Sequence, residues 1–230
     1  MSINRYAEGQ VLLINKPLYW TSFDVVKKIR NLARAKKVGH AGTLDPLATG
    51  LLIICTGKYT KQINEFMAAE KEYTGTFTIG ATTPSFDLET EPENFKNYEE
   101  LNPESIRRAA ESFTGWILQM PPAFSAVKKE GKRAYEWARK GKTVQLDPRR
   151  ILINNFDILE LDLPVIHFRV VCSTGTYIRS LAMDFGAALG CGAYLSGLCR
   201  TRIGEYSLNQ SLTMKEAEEE IIRYSSAQKG

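Results

Sequence analysis

Metal-ligating side chains are scarce in this 230-residue chain. Its four cysteines, Cys55, Cys172, Cys191 and Cys199, form no CxxC pair, and only two histidines could complete a site. No metal centre is therefore expected. A chain of this length with a full apolar complement does not need disulfides, so all four cysteines are read as thiols. Long hydrophobic runs are missing as well. The longest, Val11 to Ile14 and Leu51 to Cys55, fall far short of the roughly 20 residues a membrane-spanning helix needs. The opening residues, MSINRYAEGQ, are polar and carry no secretory leader, so a cytoplasmic location is expected. There is no GxxxxGKS/T phosphate loop, no GxGxxG after a strand, no HExxH and no GxSxG. No nucleotide or other cofactor is implied. What chemistry the chain performs must come from ordinary side chains.

What is present begins with a core. At 43% hydrophobic and 24% charged, with ten Tyr, ten Phe and three Trp, the chain has the make-up of a globular protein, and dominant disorder is excluded. The net charge of +4 is small, but its distribution is uneven. Lys27 to Lys37 holds six basic residues and no acid; Lys128 to Arg150 holds nine basic against three acidic; Asp87 to Glu104 holds seven acids and one Lys. Such segregation makes a positive face that raises the local concentration of phosphates, although basic helix faces that are merely solvated give the same pattern.

Along the chain, Gln10 to Asn15 and Gly50 to Gly57 read as buried strands, and Tyr73 to Ile79 alternates with period two as a half-buried one. Thr21 and Asp24 fit a capping box for a helix whose apolar face is Val25, Ile29 and Leu32. Lys58 to Glu70 has helical spacing, and Asn102-Pro103 starts another helix through Phe113. From Pro121 to Arg150 the apolar density drops and basic residues crowd in around Tyr135 and Trp137, an exposed excursion. Strands over Ile151 to Leu161 and Val165 to Ser173, a helix from Thr176 to Leu189, a strand region from Tyr194 to Leu208 and a helix from Thr213 complete the chain. Strands and helices in mixed order, with no internal repeat and no linker, predict a single α+β domain over 1–230 with a central mixed, largely antiparallel sheet flanked by helices.

One loop concentrates reactive residues. Gly39 to Gly50 (GHAGTLDPLATG) packs His40, Asp45 followed by Pro46, and three glycines ahead of an apolar strand. Pro46 biases Asp45 to an extended backbone, and the glycines permit tight turns, so the carboxylate can be held at a strand mouth. An ordinary Asp-Pro turn beside a surface histidine satisfies the same residues.

GHAGTLDPLATGLL, together with Lys16-Pro17, Trp20 to Val26, Lys71-Glu72-Tyr73, Gly175 to Ser180 (GTYIRS) and Leu198 to Thr201 (LCRT), closely resembles the bacterial TruB family of tRNA pseudouridine synthases. The likeness spans nearly the whole chain in four blocks, counting 16–52 as one. It implies a pseudouridine synthase-like fold and a cofactor-free isomerase that detaches the uridine base at position 55 of the transfer RNA T loop and rejoins it through carbon. By this resemblance Asp45 is the nucleophile; a sequence does not decide between attack on the sugar, attack on the base and a glycal route. Arg179 pairs with Asp45 and keeps it ionised, and Tyr73 stacks on the target base and handles a proton. Tyr177 and Leu198 contact the uridine, and His40 fills the vacancy left when the base flips out. Phosphate contacts are expected from Lys27, Arg30 and Arg34, and from Lys128, Lys129, Lys132 and Arg133 in the basic excursion. The partner implied is the T arm of transfer RNA, bound by a monomer away from membranes.

Two departures stand out: Tyr19 where the family usually has glycine, and Thr82 to Thr90 (TTPSFDLET) in place of a more regular Thr-Asp pattern. Neither is expected to touch the chemistry. The stretch after Thr213 is expected to be too short for the small C-terminal RNA-binding domain that many members of the family carry. Rival readings are an RNA-binding or tRNA-folding module that kept the scaffold, and a related synthase working within a guide-RNA particle.

Overall fold

The computed structural model describes residues 4–125, 128–129, 131–134, 137 and 146–227, and its chain divides into two compact units, residues 1–73 with 198–230 and residues 74–197. In chain order the first unit holds α1 (Arg5–Glu8), β1 (Val11–Lys16), α2 (Ser22–Ala33), β2 (Val38–His40), β3 (Ala48–Thr56), a 3-10 turn (Gly57–Gln62), α3 (Ile63–Ala68) and the first residues of β4 (Lys71–Ile79). The second holds the rest of β4, α4 (Pro103–Glu111), β5 (Gly115–Gln119), β6 (Lys128–Lys129), β7 (Lys132–Arg133), β8 (Arg149–Asp162), β9 (Val165–Cys172), α5 (Ile178–Ala188) and the start of β10 (Ala193–Ile203). The end of β10, β11 (Tyr206–Ser207), β12 (Leu212–Thr213) and α6 (Met214–Ala227) return to the first unit.

The unbroken apolar run of β3 is explained by burial on both faces, as for an interior strand. Leu52 and Ile54 join Ile14, Val25, Ile29 and Ala217 in one core, while Leu51, Ile53 and Cys55 join Ala41 and Ile203 in another. β1 runs antiparallel to one edge of β3, from Val11↔Cys55 to Lys16↔Gly50. The other edge is shared: β2 pairs antiparallel with its C-terminal end, and β10 runs parallel to its start, with Leu198 opposite Ala48 and Arg200 opposite Gly50. Thr21 caps α2 as the spacing predicts, its side chain accepting from the Asp24 N–H and the Asp24 carboxylate accepting from Thr21.

In the second unit β9, β8 and β5 form antiparallel neighbours around Phe77, Phe156, Phe168 and Phe185; the Phe77 and Phe168 rings stack with centroids 4.1 Å apart. β6 and β7 pair as a short antiparallel hairpin inside the basic excursion. The class is α+β with a mixed, largely antiparallel sheet, as the order of elements predicts.

Three local readings change. Lys58 to Glu70 is not one helix but a 3-10 turn followed by a short α3. The strand region Tyr194 to Leu208 breaks at Gly204 into the β10–β11 hairpin. β2 and β5 were not foreseen: β2 is too short to show a period, and β5 bears exposed Trp116 and Leu118. Among the described residues no helix is long and apolar enough to cross a membrane, no cluster of His, Cys, Asp and Glu could hold a metal ion, and the four cysteines form no disulfide.

Candidate active site

The loop carrying Asp45 leaves β2 and re-enters the sheet as β3. The Ala41 N–H still bonds the Ile53 carbonyl at 2.9 Å, and the chain then closes a turn in which the Ala48 N–H donates to the Asp45 carbonyl at 3.0 Å. Pro46 occupies the second position of that turn, where its fixed φ suits the geometry. At its end Gly50 has φ 102°, and a Cβ there would overlap the Arg200 backbone, so only glycine lets β3 and β10 meet. Upstream, the Ser22 hydroxyl in the first turn of α2 holds both backbone groups of Leu44, accepting from its N–H at 2.9 Å and donating to its carbonyl at 3.1 Å. Asp45 is thus fixed from both sides, half-buried, at the mouth of β3.

Two buried cations flank this turn. Lys16, at 0% exposure, donates from Nζ to the carbonyls of Trp20 at 2.6 Å, Pro17 at 3.0 Å and Pro46 at 3.5 Å. Burial pushes its pKa down from 10.5 to about 8; the negative charge of Asp45 opposes that shift and the Arg200 charge adds to it. Arg200, at 1% exposure, donates from Nε to the Leu51 carbonyl at 2.8 Å and from Nη2 to the Gly42 carbonyl at 3.0 Å. Neither was singled out by sequence reasoning as a site residue, although both lie within the motif blocks. A basic residue facing only carbonyls leaves no signature in composition or spacing.

Tyr19 has φ 66°, a left-handed conformation that is costly, about 1–3 kcal/mol, for a bulky side chain. That conformation lets its N–H donate to the Pro46 carbonyl at 2.8 Å. The departure at this position, expected to lie away from the chemistry, is one hydrogen bond from the Asp45-Pro46 turn.

Of the other sequence-predicted residues in the first unit, His40 ends β2 opposite Ile54 and is half-buried. Burial, reinforced by the Arg200 charge, holds its pKa below 6.5 and so keeps it neutral near pH 7; its buried Nδ1 has no hydrogen-bond partner among the described residues. Leu198 sits opposite Ala48, and its carbonyl accepts from the Thr49 hydroxyl at 3.3 Å, so register brings it beside the Asp45 turn. Tyr73 is half-buried on β4, next to Glu72, whose carboxylate accepts from Thr201 of β10 at 2.8 Å. Lys27 on α2 and Arg34 at its C-cap are exposed, whereas Arg30 turns inward and donates to the Val38 carbonyl at 3.3 Å.

In the second unit Arg179 lies in the first turn of α5 at 4% exposure. It donates to the Phe124 carbonyl at 2.9 Å and the Ser85 carbonyl at 3.3 Å, and its Nε lies 3.6 Å from a carboxylate oxygen of Asp87, itself 3% exposed. Asp87 and Ser85 belong to the stretch TTPSFDLET, so the second departure also bears on a predicted site residue rather than standing apart from it. Tyr177 is fixed by a reciprocal pair: its N–H donates to the Gln119 side-chain oxygen at 2.8 Å, and the Gln119 amide donates to its carbonyl at 3.1 Å. The side chains of Lys128, Lys129, Lys132 and Arg133 lie outside the described residues, as does Tyr135.

The chain matches the model of the TruB family pseudouridylate synthase N-terminal domain over residues 30–178 and that of the tRNA pseudouridylate synthase B C-terminal domain over residues 179–229. It is 52% identical over 228 residues to the tRNA pseudouridine synthase B of Flavobacterium johnsoniae, covering 96% of this chain and all of the relative. It is 52% identical over 220 residues to the protein of the same name from Parabacteroides distasonis, covering 93% and 94% of the two. A solved structure of a Cbf5-Nop10-Gar1 complex contains a chain similar in fold, with TM-score 0.76 and 28% identity over 97% of this chain. This chain spans 57% of that one.

Proposed function

From the premise that the chain belongs to the TruB family of pseudouridylate synthases, we propose that it converts the uridine at position 55 in the T loop of transfer RNA to pseudouridine, with Asp45 attacking the flipped nucleotide. The reaction breaks the bond from the ribose to N1 of the base and makes one to C5, whose proton is released to solvent while N1 gains one. Atoms balance without a cofactor.

The observation that carries this reading is the Asp45-Pro46 turn, held by Ser22, Lys16 and the Gly50 junction. A nucleophile must be placed within a few tenths of an ångström, and backbone hydrogen bonds to a rigid strand do that. The charge of Lys16 favours the ionised form of the carboxylate. Arg179 adds to it in this proposal: a guanidinium has five donors in a fixed fork, enough for Asp87, two carbonyls and a second carboxylate. Tyr73, Tyr177 and Leu198 line the place of the base, and neutral His40 takes the position vacated in the RNA stack. Lys27, Arg30 and Arg34 with Lys128, Lys129, Lys132 and Arg133 supply phosphate contacts. The protein acts as a monomer in the cytoplasm on the T arm, through one catalytic domain over 1–230.

The decisive experiment uses a tRNA transcript carrying 5-tritiated uridine. Asp45→Asn is expected to bind this RNA with unchanged affinity and release no tritium. Undiminished release removes Asp45 from its role. Activity only in the presence of a guide RNA points to the particle-bound reading, and RNA binding without release by the unaltered protein points to a folding module.

A further inference from the structure

Beside the Asp45 turn lies a cavity of about 400 Å³ that the reaction as described does not use. It is lined by Tyr19, Trp20, Asp24, Lys27, Lys28 and Asn31, all of the first unit. Two of its charges are already engaged: Asp24 accepts from the Thr21 N–H and hydroxyl, and Lys28 pairs with Glu218 at 2.8 Å. Lys27 and Asn31 stand exposed on its rim. Tyr19 is the unusual member. It holds a left-handed backbone that glycine adopts at no steric cost, yet the residue is 74% exposed, so core burial does not offset the strain. Strain kept without internal packing points to a contact outside the chain. An exposed aromatic face beside lysine and a neutral amide suits a nucleotide, whose base stacks while its phosphate meets the cation.

We propose that Tyr19 is a stacking platform for an unpaired base of the RNA substrate, distinct from the reacting uridine, with Lys27 taking the adjoining phosphate. This rests on the RNA-modifying reading above. The occupant is chosen by charge complementarity: among the described residues, those around the cavity without an engaged side chain are a cation, an amide and an aromatic ring.

Binding of a fluorescent tRNA transcript and thermal melting of the full chain test it together. Tyr19→Gly is expected to raise the melting midpoint by a few degrees, because strain is released, while weakening RNA binding about tenfold. Tyr19→Phe keeps the ring and is expected to bind within about twofold of the unaltered protein. Lys27→Gln is expected to lower the slope of log affinity against log salt by about 0.7. Equal affinity of the glycine variant overturns the proposal, as does a lower melting midpoint, which would make the ring a structural prop. Loss of binding in both Tyr19 variants overturns stacking in favour of the hydroxyl. Failure of the unaltered protein to modify tRNA is a separate result, and it strikes the functional reading first.

Discussion

Lys16 and Arg179 are both cations withdrawn from water, but their surroundings differ in kind. Lys16 donates to three backbone carbonyls, whereas Arg179 donates to two carbonyls and has the buried carboxylate of Asp87 at 3.6 Å. Carbonyl dipoles only partly replace water, so a lysine held by them pays desolvation by losing its proton more readily. Arginine does not have that outlet, and for Arg179 the Asp87 carboxylate supplies a countercharge. The difference teaches where each can serve. A cation compensated by dipoles still projects its charge toward Asp45, while one compensated by a carboxylate is chiefly a rigid fork that positions what it grips.

The largest expected effect comes from breaking the ionic cluster. Arg179→Met strands Asp87 at 3% exposure without its countercharge and is expected to cost about 3–5 kcal/mol of stability, read from the denaturant midpoint. Adding Asp87→Leu should recover much of that loss, since two apolar side chains in place of a buried pair are often tolerated. No recovery in the double variant would mean that the carbonyl contacts, not the carboxylate, dominate.

The dipole-compensated cation predicts a dependence on pH instead. Folding lowers the Lys16 pKa from 10.5 to about 8, so between those values the unfolded chain holds a proton that the native chain has released. Unfolding free energy from this group therefore rises with pH across that window. Relative to Lys16→Met, the unaltered protein is expected to gain about 2 kcal/mol between pH 7 and 9.5. A stability difference that stays flat with pH would show that Lys16 keeps its proton, and the contrast with Arg179 would vanish.

How much of this was legible beforehand follows from the range of the interactions. The α2 cap, the buried run of β3 and the period-two pattern of β4 are local, so residue type and spacing reveal them. The loop with Asp45 was legible through its Pro and Gly chemistry, and its likeness to a family supplied candidate roles. Lys16 against Pro46, Arg200 against Gly42 and Arg179 against Ser85 join residues 30, 158 and 94 positions apart through backbone carbonyls, which every residue possesses. Nothing in the identity of the acceptor betrays such a bond. Tyr19 was noticed as an oddity, but its meaning depends on a backbone dihedral and a bond to Pro46 that one residue type cannot disclose.

The smallest expected effect probes the local scaffold that both neighbours of Lys16 share. Thr21 lies between Trp20, whose carbonyl receives the Lys16 ammonium, and Ser22, which holds Leu44. Thr21→Ala removes the cap and is expected to cost about 1 kcal/mol. Its pH dependence has the same sign as that of Lys16 but lies in the acid range. The hydrogen bonds from Thr21 hold the Asp24 carboxyl below its ordinary 3.8, so this stabilisation is present above that value and is lost as pH falls through the lower folded one. The deficit of Thr21→Ala should accordingly shrink in acid, measured as the difference in urea midpoints between pH 6 and pH 3. A deficit that persists unchanged at pH 3 would assign the loss to the hydroxyl's bond with the Asp24 N–H alone, leaving the carboxylate half of the capping box without energetic weight.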